Sequence, residues 1–146
     1  MSRLTTRLGA LFAGTLLALT TAASGSPASA ADPAYFEFTD ITRETFVVQL
    51  TDDAKIARAR AILSGEEREE THVVGRIIKR TQPYNTKWSY HLDPSTVGFF
   101  SYAIEVCDAT IPYVEDHLDE AGGAFLPGHY WCPWTSRLTR EVAASE

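Results

Sequence analysis

The sequence is short of the features that most enzymes and nucleic-acid binders carry. Of 146 residues only two are cysteine and one is methionine. There is no G-x-S-x-G elbow, no H-E-x-x-H, no G-x-x-x-x-G-K-[ST], no G-x-G-x-x-G and no EF-hand loop. The sequence signatures of serine hydrolases, zinc proteases, phosphate-binding loops, dinucleotide folds and calcium hands are therefore missing. Asn85 is followed by Thr86 and Lys87, so no N-x-[ST] glycosylation acceptor exists. Basic residues are few, 13 Lys and Arg against 19 Asp and Glu. That balance argues against nucleic acid and against anionic membranes as partners. Apart from residues 8–19 no apolar run is long enough to suggest a membrane span.

What is present begins with a targeting pattern. Arg3 and Arg7 form a basic start, Leu8 to Leu19 an apolar run, and Ala28-Ser29-Ala30 a small-residue cleavage site. The run is shorter than the roughly 20 residues of a spanning helix, and Thr20, Thr21 and Ser24 follow it. Residues 1–30 are read as a signal peptide, leaving 31–146 as one secreted domain that needs no membrane after cleavage. Losing Arg3 and Arg7 leaves eleven basic residues against nineteen acidic, a formal charge of −8. Two cysteines in an exported chain predict one disulfide, Cys107–Cys132. Free thiols for redox or metal chemistry fit less well, because there is no C-x-x-C and no histidine at metal-ligand spacing. No metal or cofactor is expected.

Element signals follow in order. Tyr35–Phe38 alternates and is aromatic, and Thr45–Leu50 is rich in β-branched residues, which predicts a hairpin. Thr51 is a candidate cap for a helix over Asp52–Ser64, with Ile56, Ala59, Ile62 and Leu63 on one face and Gly65 as its stop. Glu66–Glu70 reads as a solvated turn. Thr71–Lys79 predicts a central strand in which Gly75 marks a bulge or a close contact. Thr86–Leu92 alternates, with Trp88, Tyr90 and Leu92 inward and Lys87, Ser89 and His91 outward, as in a half-buried antiparallel strand.

From Asp93 to Gly123 the apolar residues Val97, Phe100, Ile104, Cys107, Ile111, Val114 and Leu118 alternate spacings of three and four, which predicts a long helix. Pro112 either kinks it or divides it with Thr110 as a second cap. Ala124–Trp134 reads as a loop, and Thr135–Val142 as an edge strand. The expected architecture is α+β: a mainly antiparallel sheet of four to five strands with two helices on one face, in the order β-β-α-β-β-α-loop-β.

Candidate chemistry is sparse. His117 lies among Glu115, Asp116, Asp119 and Glu120, which on a helix describes a solvated charged face better than a metal site. The cluster His129-Tyr130-Trp131-Cys132-Pro133-Trp134 carries three large aromatics on a segment pinned by the disulfide. It is either a rigid recognition surface or a cover for the core. Trp131, Trp134, Tyr130 and His129, with nearby Trp88 and His91, are the candidate binding residues. No catalytic residue is assigned.

The runs YFEFTD, FVVQLTDDAKIARARAILSG, WSYHLDP, AIEVCDATIPYVEDHLDEAGGAFLPG and WCPW cover nearly all of Tyr35 to Val142. In them the chain resembles a family of small secreted domains that also forms the N-terminal domain of a cyclic-AMP-inducible slime-mould protein, sometimes labelled calmodulin-binding. The resemblance implies no catalytic residues. A calmodulin target is a basic amphipathic helix, whereas Asp52–Ser64 has only Lys55, Arg58 and Arg60 as basic residues and Asp93–Gly123 is acidic. The function expected is a non-enzymatic binding domain for an unidentified protein, peptide or small ligand. The alternatives are an inhibitor of secreted proteases presenting Leu126-Pro127-Gly128 or Glu66–Glu70, and a small hydrolase using His91 or His117.

Overall fold

The hairpin predicted at the start of the domain organises the first of three sheets. The computed structural model describes residues 32–103 and 105–144; the signal peptide read from residues 1–30 lies outside them, as does Ile104. Strand β1 (Ala34–Thr39) pairs antiparallel with β2 (Thr45–Leu50), with Phe38 opposite Phe46. Alternation puts Ala34, Phe36, Phe38, Phe46, Val48 and Leu50 inside. After β2, helix α1 (Asp53–Ser64) is capped by Asp52, whose carboxylate accepts the Lys55 N–H at 3.0 Å. The cap is thus one residue later than Thr51. Ile56 and Ala59 are its buried residues, and Gly65 ends it at φ 80°, a left-handed turn that glycine takes without strain.

The second sheet is centred on β3 (His72–Ile78). It pairs antiparallel with three short strands: β4 (His91–Leu92), β5 (Gly98–Phe100) and, further along the chain, Tyr130–Trp131. Gly75 marks a close contact, since a Cβ there would lie 3.0 Å from the Leu92 side chain. Helix α2 (Ile111–Asp116) follows, then a two-stranded parallel pair, β6 (Ala121–Gly122) with β7 (Phe125–Pro127). The Tyr130–Trp131 strand is β8, and β9 (Arg137–Val142) returns to the outer edge of β1, completing the order β2-β1-β9. The ion pair of Arg60 with Glu141 ties α1 to β9. An aromatic cluster joins the two larger sheets. The Trp131 ring lies 5.9 Å from Phe38, 5.3 Å from Phe46 and 5.6 Å from Tyr90. Among the described residues no helix is long and apolar enough to cross a membrane.

The class is α+β, but in place of the expected single sheet of four to five strands the described residues form nine strands in three sheets. The long helix over Asp93–Gly123 does not form. The Asp93 carboxylate accepts from the Ser95 N–H at 3.0 Å and its hydroxyl at 2.7 Å, and the Thr96 N–H returns to the Asp93 carbonyl at 2.9 Å. This is a closed turn, which the Thr96 hydroxyl anchors by accepting the Arg76 N–H at 2.9 Å. Gly98 disfavours a helix, and Phe99 and Phe100 favour the strand that β3 accommodates. A 3-10 turn covers Glu105–Cys107, and Pro112 sits in the first turn of α2, where it lacks no useful N–H.

The expected strand over Thr86–Leu92 is also reduced. Pro83–Asn85 forms a 3-10 turn and only His91 and Leu92 pair with β3. Trp88, Tyr90 and Leu92 are buried as expected, but so is His91. The segment Ala124–Trp134, read as an irregular loop, contains β7 and β8.

Candidate functional site

The disulfide Cys107–Cys132 forms, with Cα atoms 5.1 Å apart, and it fixes the aromatic segment after β8. Beside it the Cys132 N–H donates to the Cys107 carbonyl at 2.8 Å, and the Trp134 N–H donates to the Asp108 carboxylate at 2.9 Å. The six candidate residues around this segment do not form one surface. Trp131 is fully buried and its indole N–H donates to the Ala109 carbonyl at 2.8 Å. Trp88 is buried with its indole N–H on the Thr45 carbonyl. Both satisfy the indole as core residues do.

His91, expected on the outer face, is 2% exposed. Its Nδ1 lies 2.6 Å from the Arg80 carbonyl and its Nε2 3.3 Å from the Gln82 amide nitrogen. Nδ1–H therefore donates and Nε2 accepts. These three residues belong to the interior and are withdrawn from the recognition surface. Tyr130 is exposed and lines an apolar groove with Val74, Val106 and Pro127, the Arg76 guanidinium lying 5.4 Å from its ring. His129 is half-buried, with its ring against Gly122.

Trp134 remains, and it lines a cleft of about 550 Å³ between the β1–β2 turn, the start of β3 and the turn before β9. Each wall is built by local hydrogen bonding. Asp40 turns the hairpin: its carbonyl accepts the Arg43 N–H at 3.0 Å, and its carboxylate accepts the Thr42 N–H at 2.8 Å and the Thr42 hydroxyl. Its other oxygen accepts the Ile111 N–H at 2.7 Å. The second wall turns at Pro133–Ser136, closed by the Ser136 N–H on the Pro133 carbonyl at 2.9 Å. Its hydroxyls stitch it to the others, Thr135 accepting the Ile41 N–H at 3.1 Å and Ser136 the Val73 N–H at 2.8 Å. His72 on the third wall donates Nδ1–H to the Ser136 carbonyl at 2.9 Å.

The cleft holds two cationic side chains, Arg43 and Arg137, beside the Asp40 carboxylate. Arg58, Arg60, Arg140 and Lys87 each pair with glutamate. Arg43 and Arg137, which line the cleft, have no carboxylate partner among the described residues. The Trp134 indole N–H is buried and without an acceptor among those residues. The cleft joins an aromatic ring to two uncommitted guanidinium groups. Sequence reasoning singled out Trp134 and missed Arg43, Arg137 and His72. The β1–β9 register, which sets Thr39 opposite Arg137, brings Arg137 toward the hairpin turn, and the Ser136 bonds to His72 and Val73 bring β3 to the same place.

The segments considered for the alternative functions are also placed. Leu126 is buried, so an inhibitory loop at Leu126-Pro127-Gly128 would present only Pro127 and Gly128. Arg58 holds Glu67 and Glu70 of the acidic turn. His117 carries its Nδ1 3.0 Å from the Tyr113 carbonyl and stacks on the Tyr113 ring. Among the described residues no histidine is paired with a carboxylate and no cluster suits a metal ion.

No curated protein and no solved structure shows significant similarity to this chain. Residues 32–145 match the model of the BP-74 N-terminal domain, and the chain belongs to that family.

Proposed function

We propose that this protein is a secreted, non-enzymatic binding domain whose ligand sits in the cleft among Arg43, Arg137 and Trp134. One observation carries the reading. In a chain with more acidic than basic residues, two arginines without carboxylate partners among the described residues line one cleft beside a tryptophan. Arginine and tryptophan dominate recognition sites because they offer large, preorganised contact area with directional donors. The disulfide, the Asp108 contact and the Asp40 turn hold the walls before any ligand arrives, which lowers the ordering cost of binding. Export rests on residues 1–30, and the disulfide agrees with an oxidising compartment. The non-enzymatic part rests on the absence of a catalytic motif in the sequence.

Thermal denaturation of the oxidised chain against a library of anions, saccharides and short peptides tests the reading. A subset is expected to raise Tm in wild type and to lose that effect in the Arg43→Gly/Arg137→Gln double variant. A library with no stabilising member, or one that stabilises the double variant equally, contradicts it.

A further inference from the structure

The groups the cleft leaves uncommitted define what it can hold. The arginines at positions 43 and 137 bring guanidinium donors, and the Thr71 hydroxyl makes no hydrogen bond among the described residues. The acceptors are largely spent. The Asp40 carboxylate already takes the Thr42 and Ile111 N–H groups and the Thr42 hydroxyl, and the Thr135 and Ser136 hydroxyls take Ile41 and Val73. A cleft with donors in surplus suits an acceptor-rich ligand, and two guanidinium groups lining one cleft suit an anion.

A second feature adds a ring to the description. The Tyr102 ring is 81% exposed and lies 5.7 Å from the Trp134 ring at an interplanar angle of 60°, so Trp134 alone offers the cleft an aromatic face. Flat aromatic faces accept the apolar face of a cyclic ligand. The Ile41 and Val73 N–H groups on this wall are occupied by side-chain hydroxyls and are not free to donate to a ligand.

The backbone at Arg43 points the same way. Its φ of 67° is left-handed, a conformation open to glycine and uncommon for other residues. A strained position that carries a long cationic side chain into a cleft suggests a functional demand on that side chain.

From these observations, and resting on the binding-domain reading above, we infer that the cleft binds an anionic sugar. Its carboxylate or sulfate lies against Arg43 and Arg137, and a ring face lies on Trp134. The cleft volume, about 550 Å³, falls within the usual size of small-ligand sites.

Isothermal titration of the oxidised full chain at low salt decides it, using a hexuronate tetramer, a sulfated neutral tetramer, the unmodified neutral tetramer and an acidic tetrapeptide. The uronate or the sulfated sugar is expected to bind at least about tenfold more tightly than the neutral one, and Arg137→Gln to weaken it by about tenfold or more. Arg43→Gly is the second variant. It relieves the left-handed strain, so it keeps or raises Tm while losing affinity by a similar factor. Uronate binding without sulfate binding assigns the anion as carboxylate, and the reverse assigns sulfate. Equal binding of the neutral sugar, or binding of the peptide alone, overturns the sugar inference while leaving a binding cleft if the variants still weaken it. Failure of all four ligands together with an empty thermal-shift library overturns both.

Discussion

The Asp40 carboxylate accepts the backbone N–H of Ile111 at 2.7 Å, joining the β1–β2 turn to the first residue of α2. Through its other oxygen the same carboxylate builds the hairpin turn that carries Arg43. One buried side chain thus shapes a cleft wall and places a helix. Asp40→Ala strands the N–H of Ile111, a fully buried residue, while the Thr42 donors belong to an exposed one. Leaving one buried donor unpaired costs about 1–3 kcal/mol, so a loss of about 2 kcal/mol is expected in urea denaturation. A loss below about 1 kcal/mol would remove Asp40 from this role.

Trp131 and Trp134, three residues apart, are expected to respond very differently. Trp131 fills the space between the two larger sheets, so Trp131→Ala should cost about 4 kcal/mol. Trp134→Ala should cost about 1 kcal/mol and act mainly on binding. Acrylamide quenching should reach Trp134 and leave Trp88 and Trp131 largely protected. Urea curves of the two variants, with quenching of single Trp→Phe variants, check both statements.

The disulfide closes a separation of 25 residues. The chain-entropy model assigns such a loop about 3.5 kcal/mol. A Cys107→Ala/Cys132→Ala variant is expected to lose about that amount and to loosen the Trp134 wall, which hangs on the next turn. Its denaturation midpoint and its affinity for any cleft ligand should fall together.

Stability toward acid should depend on Glu37. The hydrogen bond from Arg140, aided by that from Thr139, holds the Glu37 carboxyl below its ordinary value of 4.5, against the opposing effect of burial. The folded chain therefore resists protonation there more than the unfolded chain does. The resulting stability is complete above about pH 4.5 and is lost as pH falls through the lowered folded value. Glu37→Gln is expected to flatten the acid limb of Tm against pH. The Arg140 side chain is 66% exposed, so the effect is modest and shrinks with salt.

The sequence made parts of this structure legible through local signals. The alternation of Phe36, Phe38, Phe46, Val48 and Leu50, the α1 pattern ending at Gly65, and the strand around Gly75 were all readable. Cysteine count and export context predicted the disulfide. Burial was also legible between Asp93 and Gly123: Val97, Ile111 and Val114 are all fully buried. The mistake there was one of period. Spacings of three and four look like one helix stripe, but here Val97 is buried just after a turn and only Ile111 and Val114 share a helix, the short α2. The sequence carried the competing cues in Asp93-Pro94-Ser95-Thr96, in Gly98 and in the phenylalanine pair, whose turn and strand preferences prevailed once β3 was there to pair with.

His91 failed for a different reason. Alternation in a two-residue strand says little, and the Arg80 carbonyl supplies an inward partner that no local pattern shows. The cleft was legible only as Trp134, since Arg43 and Arg137 meet through pairing between distant strands.

The most direct test is a two-dimensional ¹H–¹⁵N spectrum of the oxidised chain during titration with the uronate and sulfated tetramers. Trp→Phe variants identify the three indole signals. Saturable movement of the Trp134 indole and of the Arg43 and Arg137 signals, with Trp88 and Trp131 stationary, is the result predicted. Movement confined to the Tyr130 groove, or no movement at saturating ligand, would contradict the assignment of the cleft as the ligand seat.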